Sequence, residues 1–372
     1  MQYDMIIVGS GSVGSAAGYY AAKAGTKVLM IDSGVPPHKD ASHHGVTRIF
    51  RCAYGEGAHY VPLVLRAKQL WKELGEISGK EVLKQCGVLN LAPKDSRFMA
   101  NIQKCVQQFN LKAETLSPEK VHERWAGITA PEDYAAVFES DAGVLNTELA
   151  IGAYVKLSKE AGAEQLFNTV VTAVKPIENG VEVETSVGKF RSRKALVSAG
   201  TWVRKLFPEM PIQPLRKTFV WHNAPEIYKN IPGFVITHKS HSYYGFPSDG
   251  IGLKVGKHNG GQYMQSLDEF LPYGAVAEDK TELLECLGAF LRGAGEAVHG
   301  EVCSYDMSPD SNFIIDVVPN IPNVMVVSGL SGHGFKFTSA LGEVAALFGG
   351  GKESPIDLSA FRLSRFKKSS QL

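Results

Sequence analysis

Long apolar runs are missing from this 372-residue sequence. No stretch reaches the roughly 18 apolar residues that a membrane-spanning helix needs. The first apolar segment ends at Val8, carries Asp4 and precedes no cleavage pattern, so no secretory leader is expected. An excess of one charge is also missing. The formal net charge of +1 argues against nucleic acid or an anionic membrane as partner. The longest basic cluster, Arg362 to Lys368, reads as a solvated tail. The five cysteines, at 52, 86, 105, 286 and 303, form no CxxC pair and are odd in number. Neither a zinc site nor a disulfide framework fits, no metal is expected, and a cytoplasmic location is the natural one. Ser370-Gln371-Leu372 resembles a peroxisomal address only loosely.

The hydrophobic fraction of 44% is enough for a normal globular core, and the length suggests two or three domains. The chain opens as strand, turn, helix, strand: Tyr3 to Val8, then Gly9 to Gly14, Ser15 to Ala24 closed by Gly25, and Lys27 to Ile31. Residues 60 to 76 and Leu149 to Ala161 carry helical apolar spacing. Strands are expected at Val82 to Leu91, Ala135 to Val144, Val170 to Val174, Val181 to Thr185, Lys194 to Ser198, Asn312 to Val317 and Val324 to Ser328. A helix is expected from Phe337 to Phe348. Residues 216 to 302 are richer in aromatics and turns, as in an antiparallel sheet domain. The expected fold class is α/β (α+β), a Rossmann-like nucleotide-binding domain interrupted by a mixed, mostly antiparallel substrate domain. Residues 1–80, 145–215 and 310–372 go to the first domain, and 81–144 and 216–309 to the second.

Gly9, Gly11 and Gly14 form a GxGxxG turn in its full context, between a strand and a helix, with Asp32 ending the next strand. Gly9 serves the bend, Gly11 admits a pyrophosphate close to backbone, and Gly14 lets helix and strand pack. The helix N-terminus attracts phosphate, and Asp32 can accept from a ribose hydroxyl. The early start of the unit and the segment Leu196 to Gly200 lean towards FAD over NAD.

Three further segments can carry amine chemistry. Ser42 to Arg51 packs His43, His44, Arg48 and Arg51 into ten residues, and arginines grip carboxylates through paired N–H groups. Gly252 to His258 reads as a strand whose Lys254, facing a flavin, would stabilise negative charge developing on oxygen. Ser331 to Phe337 joins a strand to a helix. Its Gly332 and Gly334 suit close approach to a flavin, and Lys336 could bind a carboxylate. Cys303 lies in an alternating segment, where a lone cysteine is ordinarily a small hydrophobe.

Together these segments resemble the monomeric sarcosine oxidase family, most closely its N-methyltryptophan oxidase branch. The likeness runs nearly end to end: GSGSVG at 9–14, SHHG at 42–45, TRxxR at 47–51, AYGEG at 53–57, YYGFP at 243–247, GLKVGKHNGGQ at 252–262, SPDxxFIID at 308–316 and GLSGHGFKF at 329–337. The resemblance implies a monomeric, D-amino-acid-oxidase-like, two-domain FAD protein. Its implied substrates are a small N-methyl amino acid and O2. It implies one FAD per chain, covalently linked through its 8α-methyl to Cys303. It places a substrate-carboxylate clamp at Arg51 and Lys336, the oxygen-activating lysine at Lys254, Arg48 and His44 beside the flavin ring, and Tyr244, His258 and Tyr305 around the substrate. Two positions depart from the family: Cys52 stands where relatives commonly carry His, and Val46 where they commonly carry Asp.

The expected reaction is oxidative demethylation, most closely of N-methyl-L-tryptophan, yielding L-tryptophan, formaldehyde and hydrogen peroxide. Oxidation of sarcosine, proline or pipecolate is the alternative within enzymes. A flavin-binding scaffold subunit is the alternative outside them, and the pair Lys254 and Lys336 argues against it.

Overall fold

A computed structural model describes residues 2–266 and 269–369; the tail Ser370-Gln371-Leu372 lies outside the described residues. The strand Tyr3–Val8 is buried at five of its six positions, as expected of an apolar strand covered on both faces. It pairs in parallel with Val28–Ile31 on one side and Gly188–Val197 on the other. Glu164–Leu166 extends the sheet beyond Val28–Ile31, and Ile321–Ser328 pairs in parallel with the far end of Gly188–Val197. Val171–Ile177 and Gly180–Thr185 form an antiparallel hairpin on the same sheet, with Asn179 at φ +60° in its turn.

Helices Ser12–Lys23, Val61–Ser78, Thr147–Glu160 and Thr338–Gly349 supply the main core against this sheet. Ser12–Lys23 and Thr338–Gly349 touch almost at backbone distance. A methyl group on Gly342 would lie 2.4 Å from the Ala16 Cβ. The sheet is thus assembled from both ends of the described chain.

A second, nine-stranded sheet takes strands from 88–139 and 213–307. Its pairings are antiparallel except Gly233–His238 with Val88–Pro93. The long strands Gln213–His222 and Ala297–Met307 run antiparallel side by side, with one shift of register between Trp221 and His222. Leu253–Lys257 lies on the other side of Gln213–His222. A small third sheet joins Thr47–Phe50, Gly143–Asn146 and Leu83–Lys84. No helix among the described residues is long and apolar enough to cross a membrane.

Three sequence expectations need correction. The segment Val82 to Leu91 is two strands in two sheets, parted where Gly87 turns at φ +75°. Ala135 to Val144 is likewise Tyr134–Glu139 and Gly143–Asn146, separated by a short turn. Among the helices with no counterpart in the sequence reading are Arg97–Gln108 and Pro118–Arg124. Both begin at a serine whose hydroxyl accepts a backbone N–H, a local signal that was available.

Candidate active site

A cavity of about 450 Å³ runs from the first glycine turn, across the junction of the two large sheets, to the second glycine loop. At its first end, Gly9 turns at φ +87°, and a Cβ there would meet the Ser198 carbonyl at 2.7 Å. A Cβ on Gly14 would lie 2.0 Å from the Gly9 carbonyl, so Gly14 packs beneath the turn and does not line the cavity. Gly11 is different: its nearest neighbour is the His43 ring at 3.6 Å, and it lines the cavity. Gly11 is also the N-cap of Ser12–Lys23, which has no side-chain cap and no acidic residue in its first turn. Its leading N–H groups and positive dipole end are therefore available to an anion.

Asp32 ends the second strand as expected. One carboxylate oxygen accepts from the Ser10 N–H at 2.7 Å; the other accepts from the Gly34 N–H at 3.0 Å and meets His38 Nε2 at 3.1 Å. His43 is buried beside it with Nε2 unpartnered. Burial, with His38 and Arg48 nearby, pushes its ring down to about 3. It is a neutral polar group awaiting a partner in the cavity wall.

The middle of the cavity holds Lys254 and Cys303. Lys254, 2% exposed, points from Leu253–Lys257 at the carbonyl of Gly45 and donates to Thr47 Oγ1 at 3.0 Å. Its ammonium lies over the rings of Phe219 and Trp221, at 4.4 and 4.8 Å from the centroids. Burial, and then Arg48, lowers this amine to about 7. Arg48 donates to the carbonyls of Thr47, Ser42 and His44 and faces the cavity. Gly45 at φ +99° and Val46 at φ +62° fold the 42–47 turn around it; a β-branched residue such as Val46 enters that region at a cost. Cys303 lines the cavity opposite Lys217 in the adjoining strand. Burial raises its thiol, while Arg48, Lys217 and Lys254 act to lower it.

At the second end, two cations share one aromatic ring. The Arg51 guanidinium lies 4.9 Å and the Lys336 ammonium 5.1 Å from the Tyr54 centroid. Lys336 donates to the His333 carbonyl at 2.8 Å, and the Tyr54 hydroxyl meets His333 Nδ1 at 2.6 Å. Burial, and then Arg51, lowers the Lys336 amine to about 7. Arg51 forms an ion pair with Glu56. Burial would raise that carboxyl, but Arg51, His333 and Lys336 hold it at about 2. His258 stands 5.9 Å from Tyr305 between ring centroids, and burial brings its ring down to about 4. Gly332 turns at φ +77° against the Tyr305 ring, so the loop backbone itself forms the wall. Gly334 and Tyr244 complete it.

Of the residues singled out in the sequence, Gly9, Gly11, Asp32, Arg48, Arg51, Tyr244, Lys254, His258, Cys303, Tyr305, Gly332, Gly334 and Lys336 line this one cavity. Gly14 and His44 do not. His44 turns away, with Nε2 2.9 Å from the Glu301 carboxylate and its ring against Phe219. Its neighbour His43 faces the cavity instead. Cys52 is buried outside it, and burial pushes its thiol up to about 12. Tyr54, Glu56 and His333 were missed, although AYGEG and SGHGF were noted as motifs.

A Rossmann-type glycine turn, an uncapped helix end and buried cations facing a second sheet define a dinucleotide-dependent oxidoreductase architecture. The chain belongs to the FAD-dependent oxidoreductase family, whose model matches residues 4–347. It is 52% identical over 371 residues to the N-methyl-L-tryptophan oxidases of Yersinia pestis (strain Pestoides F) and Yersinia pseudotuberculosis serotype O:1b (strain IP 31758), covering 99% of this chain and 100% of each relative. Its fold is that of L-proline dehydrogenase from P. horikoshii, with a TM-score of 0.83, 22% identity, and 99% and 98% of the two chains covered. Glycine oxidase from Geobacillus kaustophilus follows at 0.79 and 20%, covering 98% of each chain. The residues present fit FAD: an uncapped helix end open at Gly11, Asp32 at the strand end, and the unpartnered His43 Nε2.

Proposed function

We propose that this protein oxidatively demethylates N-methyl-L-tryptophan: N-methyl-L-tryptophan, O2 and water give L-tryptophan, formaldehyde and hydrogen peroxide. The observation that carries the reading is the pair of buried cations, Arg51 and Lys336, on one aromatic ring in the cavity that also holds Lys254 and Cys303. The identity with the Yersinia oxidases supports the substrate.

Arg51 and Lys336 bind the substrate carboxylate and so fix where the N-methyl carbon lies, turning an encounter into a positioned reaction. FAD bound in this cavity supplies the two-electron oxidation of the CH–N bond and the reduction of oxygen to peroxide. His258, neutral through burial, lines the amine end without adding positive charge there. Tyr244 and Tyr305 wall the substrate, and the apolar side chains of Ile49, Val235 and Phe246 offer the indole its surface. Lys254 places a buried ammonium where negative charge develops on oxygen. Arg48 holds the 42–47 turn against that site. Cys303 Sγ is the lining thiol suited to a thioether with the flavin 8α-methyl.

The test is anaerobic bleaching of the flavin band with N-methyl-L-tryptophan and sarcosine in parallel. Fast bleaching by the first and slow bleaching by the second is expected. The reverse order would assign the chemistry to sarcosine, and no bleaching by either would refute the substrate class. Acid-precipitated protein should stay yellow, and Cys303→Ala should release its flavin; release from the unaltered protein would refute the covalent link.

A further inference from the structure

Glu139 is a carboxylate that the scheme above does not use. It ends the strand Tyr134–Glu139 in the large antiparallel sheet and is 3% exposed. One oxygen accepts from two consecutive backbone N–H groups, Cys52 and Ala53, both at 2.9 Å. The other accepts from Asn90 Nδ2 at 3.4 Å, and the same amide nitrogen reaches the Val137 carbonyl at 3.3 Å. These are distant parts of the sequence: 86 and 87 residues separate the acid from the two N–H groups it holds.

What it holds is the turn directly after Arg51. The peptide unit is gripped from both ends, because Arg51 Nη1 donates to the Ala53 carbonyl at 2.9 Å while the Ala53 N–H is tied to Glu139. Fixing Ala53 therefore fixes one of the two anchors of the guanidinium. The other anchor is Glu56, the group that an incoming carboxylate must compete with. Once that competition is won, the Ala53 carbonyl is the remaining protein anchor of Arg51 among its hydrogen bonds described here. Only a rigid anchor keeps the fork aimed at the ligand. Burial raises this carboxyl, while the Ala53 and Cys52 N–H groups, Arg51 and Asn90 act to lower it; a buried acid that accepts from oriented N–H groups is a means of locking a segment in place.

We propose that Glu139 is a positioning residue for the substrate-carboxylate clamp: by holding the Cys52–Ala53 peptide it aims Arg51 into the cavity. The inference rests on the reading of Arg51 as a carboxylate ligand. Glu139 does not line the cavity, so its effect on the ligand is expected to pass through the turn that anchors Arg51. Its signature is a loss of carboxylate recognition that exceeds any loss of turnover.

The experiment uses the flavin-loaded enzyme and two probes titrated by their perturbation of the flavin band: indole-3-acetate, which carries a carboxylate, and indole-3-ethanol, which does not. In Glu139→Ala the affinity for indole-3-acetate should fall about tenfold or more, that for indole-3-ethanol by less than about threefold, and KM should rise more than kcat falls. Glu139→Gln keeps an acceptor oxygen in place and should restore most of the affinity. Glu139→Asp keeps the charge but shortens the reach, and gives the same selective loss on a smaller scale should the alanine variant not fold. Equal losses for both probes, or none in either Glu139→Ala or Glu139→Asp, would overturn the proposal. Arg51→Met separates the two failures. If it too leaves indole-3-acetate binding intact, the clamp reading falls and the positioning role falls with it. If Arg51→Met weakens the acid and the Glu139 variants do not, only the positioning role falls.

Discussion

Arg51 gives its Nη2 to both oxygens of the Glu56 carboxylate, at 2.8 and 2.9 Å. A substrate carboxylate arriving at Arg51 must therefore share or displace an internal anion. Glu56→Gln removes that competitor's charge while keeping its shape. Affinity for indole-3-acetate should rise about three- to tenfold, read by titration of the flavin spectrum. Weaker binding would mean that Glu56 organises the clamp and does not compete with its ligand.

Lys254 lies among Phe219, Trp221 and Phe246, and its charge is compensated by a carbonyl and a hydroxyl, with no carboxylate bonded to it among the described residues. Lys254→Met keeps the length and removes the charge. Anaerobic reduction by substrate should stay within about threefold, while reoxidation by oxygen slows by roughly a hundredfold or more. Stopped-flow measurement of the two half-reactions separates them, and normal reoxidation would remove the role assigned to this lysine.

The amine of Lys336 is lowered to about 7 by burial and then by Arg51. A lowered amine carries its charge below that value and loses it above. Binding of indole-3-acetate, itself anionic throughout, should therefore weaken as pH rises from about 6 to about 8.5. In Lys336→Met the affinity at low pH should be lower and this dependence shallower. An unaltered pH profile in the variant would place the titrating group elsewhere.

Much of the dinucleotide end was legible because it is local. Gly9, Gly11, Gly14 and Asp32 lie within one strand-helix-strand unit, so residue type and spacing were enough to place them at the turn and the strand end. The clamp end was legible only in its cations. Glu56 and Glu139 received no role, since nothing in sequence brings Glu139 to the residues after Arg51; the pairing arises where two sheets meet. The resemblance put His44 beside the flavin ring, whereas it is His43 that lines the cavity. Both precede a stretch of left-handed backbone at Gly45 and Val46, a conformation that valine does not advertise. The same long-range choice parted the strands at Gly87, whose two halves join different sheets.

Gly11 and Gly14 differ in the space around them, and a methyl group added at each should separate two effects. Gly14→Ala puts a carbon 2.0 Å from the Gly9 carbonyl and should destabilise the fold itself, by about 2 kcal/mol or more. Gly11→Ala meets only the His43 ring at ordinary contact distance and should fold. Its cost should appear as weaker flavin retention in a Cys303→Ala background, where the cofactor is free to leave. Thermal unfolding and flavin content, measured together, distinguish the two.

The close contact of Gly342 with Ala16 gives the molecule an order of assembly. Ser12–Lys23 is synthesised long before Thr338–Gly349, the helix that backs it. The glycine turn therefore stands without its backing helix while the residues between the two are made, and flavin capture is expected to follow the arrival of that helix. Ribosome-bound chains stopped before that helix should hold no cofactor, and chains stopped well beyond it should.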